Sequence, residues 1–168
     1  MESLRGGIAE VLESQAMTQA ELAAALNVSQ AAVSQWVAGK RKPSASVFEA
    51  IERALAAGGA KGKQVDVGSW HGPVTIPEQR WEPAFRPSGR FRLPLHIEWS
   101  GSDAERWRDA GDLDDLLTAY LLVLDEGRVA DIVTWVDPVI LAANFDRILW
   151  SRGHAQPWRE ALIAWGLM

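Results

Sequence analysis

Thr18–Ala38 reads TQAELAAALNVSQAAVSQWVA, and its spacing predicts two short helices joined by a tight turn. Thr18 and Glu21 stand in the S/T-x-x-E relation of a capping box, which satisfies two orphan backbone N–H groups and starts a helix at Thr18. Leu22, Ala23 and Leu26 give that helix one apolar stripe. Asn27 is suited to the left-handed conformation that ends a helix in a sharp turn. Val28 plugs the turn, Ser29 is a good N-cap for the second helix, and Gly39 stops that helix.

The second helix separates by face. At roughly 100° per residue, Ala32, Val33 and Trp36 fall on one side and can pack on the preceding helix. Gln30, Ala31, Ser34, Gln35 and Ala38 fall on the other. That face is small or amide-bearing and carries no charge, as a helix lying in the major groove requires. Gln pairs bidentately with the N6/N7 edge of adenine, Ser forms a single hydrogen bond, and an Ala methyl touches the thymine methyl. The basic run Lys40-Arg41-Lys42 follows at once, placed to grip phosphates.

Residues 8–55 resemble the helix-turn-helix domain of Cro and the phage repressors, through T-Q-A-E-L-A-x-x-L-N-V-S-Q-x-x-V-S-Q-W-x-x-G-K-R-K-P-S. The resemblance implies a phosphate anchor at Gln19. It implies base contacts from the start and middle of the third helix, at Gln30, Ala31, Ser34 and Gln35, with Ser29 counted among the DNA-binding residues. Asn27 departs from the pattern, where Gly is commoner, and the expected effect on the turn is small.

The charge is unevenly placed along the 168 residues. The net charge is −5, but residues 1–64 are near +1 and residues 65–168 near −6. An acidic C-terminal part is repelled by a duplex unless it points away from it, so the split argues for two functions in one chain. Eight of the nine tryptophans lie beyond residue 69, which agrees. With no cysteine there is no disulfide frame, no thiolate chemistry and no Cys-based zinc site. The start of the chain carries no signal-peptide pattern, and no apolar run approaches the ~18 residues of a membrane span. A soluble cytoplasmic protein with no membrane role is expected.

The expected fold is mainly α, in three parts. Residues 1–57 form the helix-turn-helix domain, four or five short helices that include an opening helix with Ile8, Val11 and Leu12. Its last helix begins at Ser44 or Ser46, with Val47, Phe48, Ile51 and Leu55 buried. Residues 58–90 read as a linker, rich in Gly and Pro and without periodicity. Its Trp70, Trp81 and Phe85 are unusual for a tether. Either the segment drapes over a domain and buries them, or it orders on binding a partner. Residues 91–168 form an acidic, Trp-rich helical domain with one extended arm or edge strand. In that arm Phe91, Leu93, Leu95, Ile97 and Trp99 alternate, and Pro94 confines it to an edge. Asp112 caps a central helix with Leu113, Leu116, Leu117, Tyr120, Leu121 and Leu124. A second helix carries Val129, Ile132, Val133 and Val136. Asp137-Pro138 starts a third with Leu141, Phe145, Ile148 and Leu149, and a last short helix follows Gln156-Pro157.

No catalytic constellation is present, so the chain is expected to be a non-enzyme without cofactor or metal. His71, His96 and His154 lie on three separate segments without metal-ligand spacing. Gly58–Lys63, GGAKGK, has the glycines and lysines of a phosphate loop but lacks the preceding strand and the Lys-Ser/Thr pair, so linker is the better reading. Trp135 lies off the stripe of its helix and stands as an exposed anchor, since Trp is enriched at interface hot spots. With Trp70, Trp81 and Phe85 it makes the candidate partner-binding set. Tyr120–Asp137, in the pattern Y-L-L-V-L-D-E-G-x-x-x-D-I-V-x-W-V-D, looks like C-terminal regions of actinobacterial antitoxin-type regulators. That resemblance implies a repressor that binds an operator in double-stranded DNA, pairs with a toxin through residues 65–168 and controls its own promoter. The alternatives are a phage or prophage repressor whose C-terminal domain makes a homodimer or higher oligomer, and a regulator with a small-molecule sensor.

Overall fold

The computed structural model describes residues 2–68, 70 and 72–168, with side chains from residue 6 onward. Its N-terminal half is four helices: α1 (Glu2–Ser14), α2 (Gln19–Ala25), α3 (Gln30–Val37) and α4 (Ala45–Ala57). Ile8 and Val11 of α1, Leu22 of α2, Val33 and Trp36 of α3, and Ile51 of α4 are all buried. These are the stripes that the apolar spacing predicts, with one exception. On α4 the buried set is Val47, Ala50, Ile51, Ala54 and Ala57, and Phe48 is exposed. Small alanines at 50, 54 and 57 rotate the contact face toward themselves, because they let the neighbouring helices come close.

Residues 58–90 hold more regular structure than a tether. Strands β1 (Gly62–Val65) and β2 (Val74–Pro77) pair antiparallel, Gly62 opposite Pro77 and Val65 opposite Val74. Val74 and Ile76 point into the core. Gly62 lies at a close approach, where a Cβ would stand 3.0 Å from Val129 Cγ2 and 3.1 Å from the Ile76 carbonyl. The chain then runs as a strap over the C-terminal half. The Trp81 indole N–H donates to the Val136 carbonyl at 2.8 Å, and the Phe85 N–H to the Thr134 carbonyl at 2.9 Å. Of the two expectations for this segment, the aromatics are consistent with draping: Phe85 is buried and Trp81 half-buried, while Trp70 is exposed. His71 lies outside the described residues.

The arm expected over 91–99 is shorter than its alternation predicts. Strand β3 (Arg90–Arg92) pairs with β4 (Trp107–Asp109), Arg90 opposite Asp109. Pro94 then turns the chain, and its carbonyl accepts from the N–H groups of Ile97 and Glu98 at 3.0 and 3.1 Å. Phe91, Leu93 and Ile97 go inward, whereas Leu95 and Trp99 are left 55% and 76% exposed. Proline removes a ladder donor and fixes φ, so the alternation does not survive beyond it.

Four helices complete the molecule: α5 (Leu113–Glu126), α6 (Val129–Trp135), α7 (Pro138–Ala143) and α8 (Ala155–Ala164). Asp112 caps α5 by accepting from the N–H groups of Asp114 and Asp115. Asp137 caps α7 in the same way. The third helix was expected to reach Leu149 but stops at Asn144, whose amide turns back onto the Ile140 carbonyl at 2.9 Å. A single 3₁₀ turn, Phe145–Arg147, follows, burying Phe145 and Ile148 and leaving Leu149 87% exposed.

Trp135 is the main correction. It is 3% exposed, with Phe85 edge-on at 5.0 Å and Phe91 stacked at 6.0 Å between ring centroids. It is therefore no surface anchor. One apolar stripe suits a helix with solvent on its far side, but α6 is covered on one side by α4 and α5 and on the other by the strap and β3. Replacing Trp135 with Ala should lower unfolding free energy by about 3–5 kcal/mol, the usual range for emptying a buried aromatic site. Urea titration of the variant checks this, and a change below ~1 kcal/mol would place the ring outside the core.

Candidate nucleic-acid interface

The reading unit is built from local hydrogen bonds. Thr18 N–H donates to Glu21 Oε2 at 2.8 Å and Glu21 N–H to Thr18 Oγ1 at 3.2 Å, so the capping box starts α2. Asn27 has φ +56°. The Val28 N–H returns to the Ala23 carbonyl at 2.9 Å and the Asn27 N–H to the Ala24 carbonyl at 3.2 Å, the paired bonds of a Schellman ending. Ser29 caps α3 by accepting from the Ala32 N–H at 3.2 Å. The same ending recurs after α3: Gly39 has φ +69°, its N–H donates to the Trp36 carbonyl, and the Lys40 N–H to the Gln35 carbonyl, both at 2.9 Å. That turn sends the basic run straight off the end of α3.

Buried Val33 and Trp36 fix the back of α3. On its other side Ser29, Gln30, Ala31, Ser34 and Gln35 are exposed, as are Lys40, Arg41 and Lys42. Gln19 opens α2 and is half-buried. Among the described residues, no acidic group forms an ion pair with the three cations, unlike Arg86, Arg92 and Arg108 elsewhere. An uncharged amide-bearing ridge flanked by unneutralised positive charge is the arrangement that base reading and phosphate gripping need.

The sequence reading undervalued Asn27. Its carboxamide reaches the segment that follows the strap: Nδ2 donates to the Arg86 carbonyl at 2.8 Å, and Oδ1 accepts from Ser88 N–H at 2.8 Å and Ser88 Oγ at 3.0 Å. At the other end of α2, Glu21 Oε1 lies 3.4 Å from Arg92 Nε, with both side chains 13% exposed. Arg92 continues to Asp103 at 2.9 Å. The C-terminal half thus holds α2 at both ends, and at the turn that aims α3. The signal in the sequence was an asparagine where glycine is the easier residue.

The candidate partner-binding residues do not form one surface, since Phe85 and Trp135 pack on each other in the core. Trp70 is exposed, Trp81 is half-buried, and Phe85 and Trp135 are inside. Of the described histidines, His96 and His154 lie at separate sites. His96 Nε2 meets Asp131 Oδ1, and His154 Nδ1 meets Asp125 Oδ1, each at 3.0 Å.

Residues 8–57 match the family model described as helix-turn-helix. This segment is a Cro/CI-type helix-turn-helix. The match supports a DNA-binding transcription regulator. No curated protein matches it, and no solved structure does. No helix among the described residues is long and apolar enough to cross a membrane. In this helix-turn-helix the turn residue does more than turn, which a substitution can measure. Asn27→Gly removes the left-handed strain but also the three side-chain bonds. It should destabilise the chain by about 0.5–1.5 kcal/mol, the net worth of hydrogen bonds whose partners water can then solvate. If turn geometry alone mattered, Gly would be neutral or stabilising. Thermal unfolding of the pair separates the two.

Proposed function

We propose that the chain is a sequence-specific repressor that works by binding, without a catalytic step, and that its C-terminal half takes a protein partner. The observation that carries the DNA reading is the exposed, uncharged face of α3 beside three unneutralised cations. Gln30, Ala31, Ser34 and Gln35 read base edges, with Ser29 at the helix entrance. Gln19, Lys40, Arg41 and Lys42 hold phosphates and set the register on the duplex.

The partner reading draws on the C-terminal surface. Leu95, Trp99, Val139, Leu149 and Ile163 are each more than half exposed, on a half of the chain whose net charge is near −6. Contiguous exposed apolar surface marks interaction sites, so these side chains are the places to look for one, and the acidity favours a basic partner. The finer reading is an antitoxin that represses its own promoter in the cytoplasm and neutralises a basic, nucleic-acid-acting toxin. The same surface would serve self-association in a plain oligomeric repressor. Trp99 and Leu149 replace Trp135 as the anchors to test.

Two measurements test the DNA reading together. Replacing Lys40, Arg41 and Lys42 with Ala should flatten the slope of log affinity against log salt and weaken all sequences alike. Gln30→Ala should cost roughly 1–3 kcal/mol on the selected operator and barely affect random DNA. An unchanged salt slope removes the three cations from the interface. Equal losses on operator and random DNA remove Gln30 from base reading. Co-expression with the product of the adjacent gene then decides the partner: co-purification that Leu149→Asp abolishes supports the antitoxin reading, and a stable dimer of the chain alone supports the oligomeric repressor.

A further inference from the structure

A cleft of about 680 Å³ opens on the seam between the helix-turn-helix and the C-terminal half. One wall is the end of α4 with Gly59–Lys61, part of the glycine- and lysine-containing stretch that the sequence reading set aside as linker. The facing wall is Pro77–Glu82, where the strap leaves β2, and Val133 of α6 closes one side.

Three cations line the cleft: Arg53, Lys61 and Arg80. None of them is in an ion pair among the described residues, and the Arg53 Nε is buried without a hydrogen-bond partner. Glu78 and Glu82 also line the cleft. Glu82 is engaged by Arg86 at 3.4 Å, which leaves positive charge in excess. The apolar part is shaped by Ala56, Ala57, Pro77 and the ring of Trp81. That ring is fixed in place by its bond to the Val136 carbonyl and by edge contacts to Trp158 and Trp165 at 6.4 and 5.6 Å. The unpaired positive charge of Arg53, Lys61 and Arg80 at one cleft attracts an anion. The Trp81 ring and the small side chains beside it offer an apolar surface for the rest of the ligand. Pockets at domain seams, mostly apolar with a few convergent polar groups, are where small ligands bind.

We propose that this cleft is an effector site for a small organic anion with a flat apolar body. Its carboxylate or phosphate sits among Arg53, Lys61 and Arg80, and its body lies along Trp81. A ligand there joins two parts that also meet at the reading unit. Arg53 belongs to α4 of the helix-turn-helix, while Trp81 belongs to the strap, and the segment that follows it is bonded to Asn27 through Ser88. Filling the cleft favours the docked pose of α3, and by linkage operator binding tightens the ligand. The coupling rests on α3 being the DNA-reading helix; occupancy of the cleft does not.

The test uses the full-length, ¹⁵N-labelled chain and 1-naphthyl phosphate, with 1-naphthalenemethanol as a neutral isostere. The Trp81 indole N–H and the Arg53 Nε–H resonances should shift, with a dissociation constant near or below about 1 mM. The isostere should bind at least about tenfold more weakly, and so should the phosphate to Arg80→Gln or Lys61→Gln, both changed at exposed positions that leave the core intact. Saturating probe should raise affinity for a duplex selected by the full chain at least about threefold. No shift of the two resonances at about 10 mM probe, or equal binding of the isostere, overturns the site. Binding without a change in operator affinity overturns its role as an effector site. If the chain selects no duplex at all, the reading of α3 fails instead, and the resonance shifts still decide the cleft.

Discussion

The Asn27 carboxamide joins the two halves of this protein at the position where its own backbone turns. The residue holds φ at +56°, a conformation that an L side chain adopts at a cost of roughly 1–2 kcal/mol and that glycine adopts freely. In return its amide makes three bonds, to the Arg86 carbonyl and to the N–H and hydroxyl of Ser88. Glycine could shape the turn and make none of them. The orientation of α3 depends on α2 through that turn, and α2 is held at its far end by the Glu21–Arg92 pair. The apolar cluster beneath runs without a break from Ile8 of α1 to Leu162 of α8. The division at residue 57 is thus one of topology and family rather than of packing.

This has a consequence for how the regulator acts. A DNA reader on a flexible tether samples many orientations, and a partner on the other domain changes little beyond local concentration. A reader bonded into the rest of the chain moves with it. If two copies associate through the C-terminal surface, the spacing of their reading helices is set by a rigid body. Half-site separation then becomes a geometric property of the fold.

What the sequence revealed follows from the range of the interactions. The helix caps and endings at Thr18, Ser29, Gly39, Asp112 and Asp137 involve partners two to five residues apart, so spacing shows them directly. The two faces of α3 were visible for the same reason: Val33 and Trp36 go inward, and the amides of Gln30 and Gln35 go out. Trp135 was misplaced because its neighbours Phe85 and Phe91 arrive from more than forty residues earlier. Strands β1 and β2 were hidden in a stretch whose glycines and prolines resemble a tether. There Gly62 marks a close approach to Val129, not flexibility. The alternation from Phe91 to Trp99 misled because Pro94 starts a turn that local periodicity does not encode. Asn27 stood in plain sight, but its partners lie some sixty residues away.

The central claim is that the helix-turn-helix and the C-terminal half fold and open as one unit. Native-state hydrogen exchange of the full chain tests it most directly. Buried amides of α3, at Val33 and Trp36, should exchange with the same free energy of opening and the same denaturant dependence as those of α5, at Val123 and Leu124, because both require global unfolding. A lower opening energy for α3, with a shallower denaturant dependence while α5 stays protected, would mean that the reading unit unfolds alone and would contradict the account.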